Sequence, residues 1–186
     1  GILAELRHGA RVRLLLMVLI CGGGCKKLGD DSVSVPPVPS PEMIKPWEPT
    51  EAQSKLPTIK LFVGTVELAA EQCQTERQIQ TGMMFRKTMT DDDAMLFVHR
   101  KPSARSYWMK NVSVPLSIGY IDASGRLLEI HDMEPFRTNG VFSLSQNIQY
   151  ALEEPQGWFG RKGVRPGAMV MTEQGSLPKT YYPKRK

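Results

Sequence analysis

Cysteine is nearly missing from this chain. Of its 186 residues, Cys21, Cys25 and Cys73 are the only three, and the first two lie close to the start. A disulfide framework is therefore excluded, and the body of the protein carries Cys73 alone. No histidine stands near Cys73 in sequence, so a small residue in an early helix is its simplest role. Long hydrophobic runs are missing too. The longest, Leu14 to Ile20, falls far short of the roughly 18 residues that span a bilayer. The chain has no Gly-x-Ser-x-Gly, no Walker loop, no His-Glu-x-x-His and no Gly-x-Gly-x-x-Gly. The acids of "TDDDAM" lack the spacing of a calcium loop. Without a nucleophile paired to a base, catalysis is not the favoured reading. Basic runs interleaved with aromatics are absent as well. The net charge of +5 comes largely from Arg7, Arg11 and Arg13 at one end and Lys179, Lys184, Arg185 and Lys186 at the other. A nucleic-acid partner is not expected.

What is present begins with a leader. Arg11 and Arg13 precede the apolar Leu14 to Ile20, and Gly22, Gly23 and Gly24 supply small residues before Cys25. This reads as a signal peptide over residues 1–24. The stretch ending at Cys25 resembles the lipobox of bacterial lipoproteins, which implies a diacylglyceryl group on Cys25. Gly22 departs from the usual leucine there, and plain secretion is the alternative. Lys26, rather than aspartate, follows Cys25, which points to the outer membrane where a cell has two. Residues 25–57 hold six prolines from Pro36 to Pro49 among serines and acids. Such a stretch favours extended, polyproline-like chain, and about thirty residues of it reach on the order of 90 Å. It reads as a tether lifting a domain from an envelope membrane.

From Thr58 the texture changes to short alternating runs. "TIKLFVG", "TVELA", "AMLFVH", "RSYWMKNVSV", "IQYALEE" and "GAMVMTE" read as strands. "EQCQTERQIQT" reads as a helix, with Thr75 placed as an internal N-cap and Gly82 as a C-cap. "LSIGYID-ASG-RLLEIHDM" reads as a hairpin turned at Asp122 to Gly125, and "GWFGRKG" as a short helical turn. The expectation is an α+β, mostly β domain over residues 58–175. It would hold a compact, barrel-like antiparallel sheet of seven or eight short strands with one or two short helices, followed by a basic tail over residues 176–186.

The row Trp108, Met109, Lys110, Asn111 stands out. If residues 105–114 are extended, Trp108, Lys110 and Val112 share one face, while Tyr107, Met109, Asn111 and Ser113 share the other. The lysine stem could then cover the indole ring.

"TGMMFRKTMTDDDAMLFVH", "SYWMKNVSVPLSIGYIDASGRLLEIHDMEP" and "QYALEEPQGWFGRKGVRPGAMV" resemble, in order, the blocks of the uncharacterised family called domain of unknown function 192. The resemblance runs from about Thr65 to Met171 and implies a compact, mainly β domain, often behind a signal sequence. It implies no activity. Ser117 stands where that family usually carries aspartate, and Ala168 where it has Gly-Asp, which weakens any hydrolase reading that needs those carboxylates.

Two site hypotheses follow. In the first, Arg86, Lys110 and Asn111 supply donors while Trp108 and Phe97 supply flat walls. Such a pocket would bind a small polar or anionic ligand, or an envelope protein partner. The structural alternative pairs Arg86 with Glu153 or Asp122. In the second, His99, Met109, His131 and Met133 form a copper(I) site. The spacing Met-x(21)-His-x-Met resembles that of periplasmic copper chaperones, and thioether and imidazole ligands suit the soft ion. With ten methionines in the chain, packing is the simpler role for Met109 and Met133.

Overall fold

Two strands rich in apolar residues, Ile148–Pro155 and Leu116–Asp122, are buried along nearly their whole length. A strand covered on both faces must pack two cores, and this one does. In a computed structural model, which describes residues 47–183, ten strands and three short helices follow one another. They are β1 (Thr58–Val63), β2 (Val66–Cys73), α1 (Glu76–Thr81), β3 (Ala94–Ser103), β4 (Ser106–Tyr107), β5 (Leu116–Asp122), β6 (Leu127–Met133), β7 (Val141–Phe142), β8 (Ile148–Pro155), α2 (Trp158–Arg161), β9 (Val170–Thr172), β10 (Gly175–Ser176) and α3 (Leu177–Tyr181).

Eight strands form one sheet in the order β10-β9-β1-β2-β3-β8-β5-β6, and β4 pairs with β7 separately. The fold is mostly β, as the alternating runs predict. It departs from a purely antiparallel sheet at β2 and β3, which pair in parallel through a crossover containing α1. The sheet curls until its far ends meet. Arg126 bridges to Met169, Leu127 N–H donates to the Ala168 carbonyl at 2.9 Å, and Val170 N–H donates to Gly125 at 2.7 Å. The result is a half-barrel.

Its inside is filled by Leu61, Leu96, Ile121, Leu152 and Val170, with Trp158 and Phe159 of α2 packed among them. Gly119 of β5 is required there: a Cβ on it would lie 2.8 Å from a Leu127 methyl and 2.9 Å from the Phe159 ring. The outer face of β3, β8 and β5 carries a second core built on Met83, Met95, Phe97, Met109, Ile118 and Tyr120. The hairpin of β5 and β6 forms where expected, with Asp122 Oδ1 accepting from Ser124 and Arg126 N–H. Thr75 caps α1 in a full capping box with Gln78, but the helix starts only at Glu76, because Glu71 to Cys73 continue β2.

Both ends of the domain extend beyond the residues 58–175 expected from composition. At the N-terminal side, Gln53 Nε2 donates to the Gly82 carbonyl at 2.9 Å and Leu56 N–H donates to Glu71 at 2.7 Å. At the C-terminal side, residues 176–182 are no solvated tail. Ser176 caps α3, Leu177 is fully buried, and Tyr181 and Tyr182 hydroxyls donate to Gln72 and to the His99 carbonyl. The leader, Cys25 and most of the proline-rich stretch lie outside the described residues. If α3 belongs to the core, Leu177→Ala should lower unfolding free energy by about 2–5 kcal/mol in urea denaturation. A solvated tail would leave it unchanged.

Candidate functional site

The segment after Tyr107 is not a strand. Val112 N–H donates to the Met109 carbonyl at 3.1 Å, and Asn111 adopts a left-handed φ of 59°, so the row Trp108 to Asn111 is a turn. The expected two-face alternation is therefore absent. Asparagine tolerates this conformation better than its β-rich neighbours would. A second left-handed residue, Phe85 at φ 63°, faces it from the turn after α1, and Phe85 N–H donates to the Asn111 carbonyl at 2.8 Å. The clasp holds the two turns together. It buries Met83, Met84, Met109 and Val112 and leaves Trp108 standing 47% exposed at the edge of a hollow.

That hollow has a volume of about 300 Å³. Phe97, Tyr107 and Trp108 give it aromatic walls, Met83 and Met84 an apolar side, and His99 and Arg105 a polar rim. Phe97 and Tyr107 meet edge to face at 4.9 Å. The deepest polar group is Glu153 of β8, only 4% exposed. It is the sole carboxyl on the lining, and no described residue donates a hydrogen bond to it. Burial pushes its pKa up to about 8, opposed only weakly by the Arg86 charge. His99 Nε2 lies 2.7 Å from the Tyr107 hydroxyl. Burial, with Arg105 nearby, holds its pKa down to about 4, so the imidazole is uncharged at neutral pH.

The five residues expected to share one pocket are divided. Phe97 and Trp108 line the main hollow. Lys110 and Asn111 line a neighbouring one of about 250 Å³ with Trp47 and Glu48, and Trp108 borders both. Lys110 Nζ sits 5.3 Å from the Trp108 ring centroid, so the stacking foreseen from a strand arises from a turn instead. The same ammonium is 2.8 Å from Glu48. Arg86 lines neither hollow. Its guanidinium forks onto Glu71 at 2.6 and 2.8 Å, with Glu71 4% and Arg86 18% exposed. The partner is thus neither Glu153 nor Asp122. The guanidinium is already satisfied by a buried carboxylate, so it is corrected from ligand donor to structural pair.

The copper residues are dispersed between separate contacts. Met109 and Met133 are buried in the outer core and border one hollow. His131 Nε2 lies 2.9 Å from Glu129, and His99 is held by Tyr107. A row of ring contacts runs from His99 through Tyr107 and Tyr120 to His131. Among the described residues, no three His, Cys, Asp or Glu side chains form a metal-sized cluster. Cys73 is fully buried and donates to the Gln78 carbonyl at 3.4 Å; burial pushes its thiol pKa up, away from reactivity. At Ser117, the neighbouring carboxylate comes from the paired strand. Ser117 Oγ donates to Asp132 at 2.5 Å and accepts from Gly157 N–H at 2.9 Å.

Glu153 was missed as a site residue, although "ALEEP" carried a signal. Two adjacent acids in an otherwise apolar strand must face opposite sides, and burial of both faces leaves each needing an explanation.

Substitutions at Arg86, Glu71 and Glu153 test this geometry. Arg86→Ala strands the buried Glu71 carboxylate and should cost about 3–5 kcal/mol in urea unfolding, whereas Arg86→Met with Glu71→Leu should recover most of it. Folded Glu153 keeps its proton to about pH 8, while an unfolded glutamate loses it near 4.5. The folded state therefore binds more protons across this window, and Glu153 should make stability fall as pH rises from 5 to 8, contributing up to about 1.4 kcal/mol per unit. Glu153→Gln should remove that contribution, leaving the one from the likewise raised Glu154, and leave the variant more stable than the wild type at pH 8. An unaltered slope in chemical denaturation would count against the assignment.

Comparison with known proteins agrees with this picture of the fold. No curated protein matches the chain. A crystal structure from Sinorhizobium meliloti 1021, assigned only provisionally as a transcription regulator, aligns with a TM-score of 0.61 at 26% identity, covering 65% of this chain and 98% of that one. A protein of unknown function from Novosphingobium aromaticivorans DSM 12444 aligns with a TM-score of 0.59 at 24% identity, covering 69% of this chain and 94% of that one. The second likeness is one of fold alone. Residues 59–172 match the family model described as "Uncharacterized ACR", and the chain belongs to that family, domain of unknown function 192 (DUF192).

Proposed function

We propose that this protein is a non-catalytic binding module of the cell envelope. The hollow beneath Trp108 takes a small polar ligand, and the leader exports the domain and leaves it lipid-anchored through Cys25. The observation that carries the reading is the Glu153 carboxyl, almost fully buried yet open to a cavity and without a protein donor. A volume of about 300 Å³ lies at the lower end of small-molecule sites. The chemistry of the lining favours binding over reaction. Cys73 is not on it, and an imidazole held near pKa 4 is a weak base at neutral pH. An anionic ligand loses its strongest expected donors, since Arg86 is taken by Glu71 and Lys110 by Glu48.

Two measurements check the two halves of this reading. A thermal-shift panel of polyols, sugars, amines and carboxylates on the full chain should yield at least one saturable rise in Tm. Trp108→Ala should shift that rise to higher ligand concentration while changing the intrinsic stability by less than about 0.5 kcal/mol. A panel with no saturable rise would overturn the binding half. For the anchor, cells expressing the protein should incorporate labelled palmitate into it. Cys25→Ser should lose the label and move the protein from the membrane to the soluble fraction, and an unlabelled wild type would sink lipidation.

A further inference from the structure

We infer that the group recognised in the cavity is a small organic cation, an amine or alkylammonium head seated against Glu153 between the rings of Phe97, Tyr107 and Trp108. This rests on the binding reading above and narrows it to one ligand chemistry.

No described residue donates a hydrogen bond to Glu153. Arg86, Cys73, Tyr107 and Tyr120, the groups whose charges act on it, are each bonded elsewhere. Arg86 is close enough to act on its charge, but both arms of the guanidinium are forked onto Glu71. The Tyr107 hydroxyl pairs with His99, and the Tyr120 hydroxyl donates to the Val141 carbonyl. The carboxyl is thus left facing an open volume with its hydrogen-bonding capacity unused, and once ionised it offers acceptor sites only. Part of the wall around that volume is aromatic and thioether surface, from Phe97, Tyr107, Trp108, Met83 and Met84, which solvates an anion poorly and can hold a cation. Trp108 already shows this property on its neighbouring side, where Lys110 Nζ stands 5.3 Å from the ring centroid.

Arg105 is the competing feature. It also lines the cavity, and its guanidinium donates to the backbone carbonyls of Lys101 at 2.5 Å and Ile148 at 3.4 Å, not to a carboxylate. An anion bound there would leave Glu153 protonated. A cation bound at Glu153 would instead expel its proton: the carboxylic acid and the free cation give a carboxylate–cation pair plus a proton in solution. Of the groups facing Glu153, Cys73, Tyr107 and Tyr120 are held protonated by burial, Arg86 stays charged, and on the cavity wall His99 is neutral and Arg105 cationic. Glu153 alone changes charge near neutrality, so proton release reports on it.

The experiment is titration calorimetry of the full chain with choline and with 3,3-dimethylbutan-1-ol, its uncharged isostere, at pH 6.5 in two buffers of different ionisation heat. Choline should bind at least tenfold more tightly than the alcohol, release about one proton, and gain about tenfold in affinity per pH unit up to pH 8. Glu153→Gln should erase both the preference and the proton release. Trp108→Ala, a half-exposed position, should weaken choline roughly two- to thirty-fold. Equal binding of choline and the alcohol without proton release would overturn the inference and leave the binding reading standing. Acetate binding that survives Glu153→Gln would overturn it in favour of Arg105. No binding of choline, methylammonium or tetramethylammonium up to tens of millimolar would overturn it as well.

Discussion

Because β8 is covered on both faces, its adjacent acids, Glu153 and Glu154, leave water on opposite sides of the sheet. Neither can be ionised cheaply there: a bare buried carboxylate costs far more than a buried neutral one, so each group gives up its charge instead. Burial pushes Glu154 to about 9 and Glu153 to about 8. On the inner side Glu154 is sealed, with neither oxygen bonded. On the outer side the core opens at Glu153. The one guanidinium that acts on its charge is captured by Glu71, which lies on β2, the parallel neighbour of β3, and also receives Leu56 N–H. That capture does two things at once. It fastens the segment before β1 to the sheet, and it keeps Glu153 unpaired.

The opening itself is made by turns rather than strands. Phe85 and Asn111 both sit at positive φ, each a conformation that costs a residue with a side chain on the order of 1 kcal/mol. The mutual hydrogen bond from Phe85 to Asn111 and the burial of Met83, Met84, Met109 and Val112 offset that strain. Had residues 105–114 continued as a strand, Trp108 would have lain against a neighbouring strand. As a turn, the chain lifts the indole to the border of two hollows and drops Met109 into the core.

The parts of this fold legible in the sequence are those fixed by local chemistry. Alternation gave β1 and β2, and short apolar runs gave β3 and β8. The Asp122 side chain, bonded to backbone two and four residues on, gave the hairpin. Thr75 gave the start of the helical turns. The misread parts depend on partners far away in sequence. Trp108 and Val112 have strong β preference, and the clasp with Phe85 overrides it. Arg86 could have met several acids, and the choice of Glu71 follows from a parallel pairing that no short-range pattern announces. The C-terminal stretch looked like a charged tail, yet Leu177 and Tyr181 were apolar anchors within it, and they outweigh the lysines because those keep their heads in water. The candidate site was half legible: Trp108 and Phe97 are in it, Arg86 is not, and its floor was read only as a possible ion-pair partner.

Glu153 and Glu154 together show why an unpaired buried carboxyl is not by itself a site. Both are shifted in the same direction by the same cause, and both would be replaced by leucine at a gain in stability if packing were all that mattered. Glu154 lines none of the hollows described above, and its burial is a cost that the inner core tolerates. Glu153 combines an unfilled acceptor, an adjoining space and three aromatic rings, one of them reachable from solvent. A protein donor could have closed that position from Arg86, Tyr107 or Tyr120, and each of these is satisfied by another partner. The unfilled position at Glu153 is therefore what separates it from Glu154 and what the proposed ligand would complete.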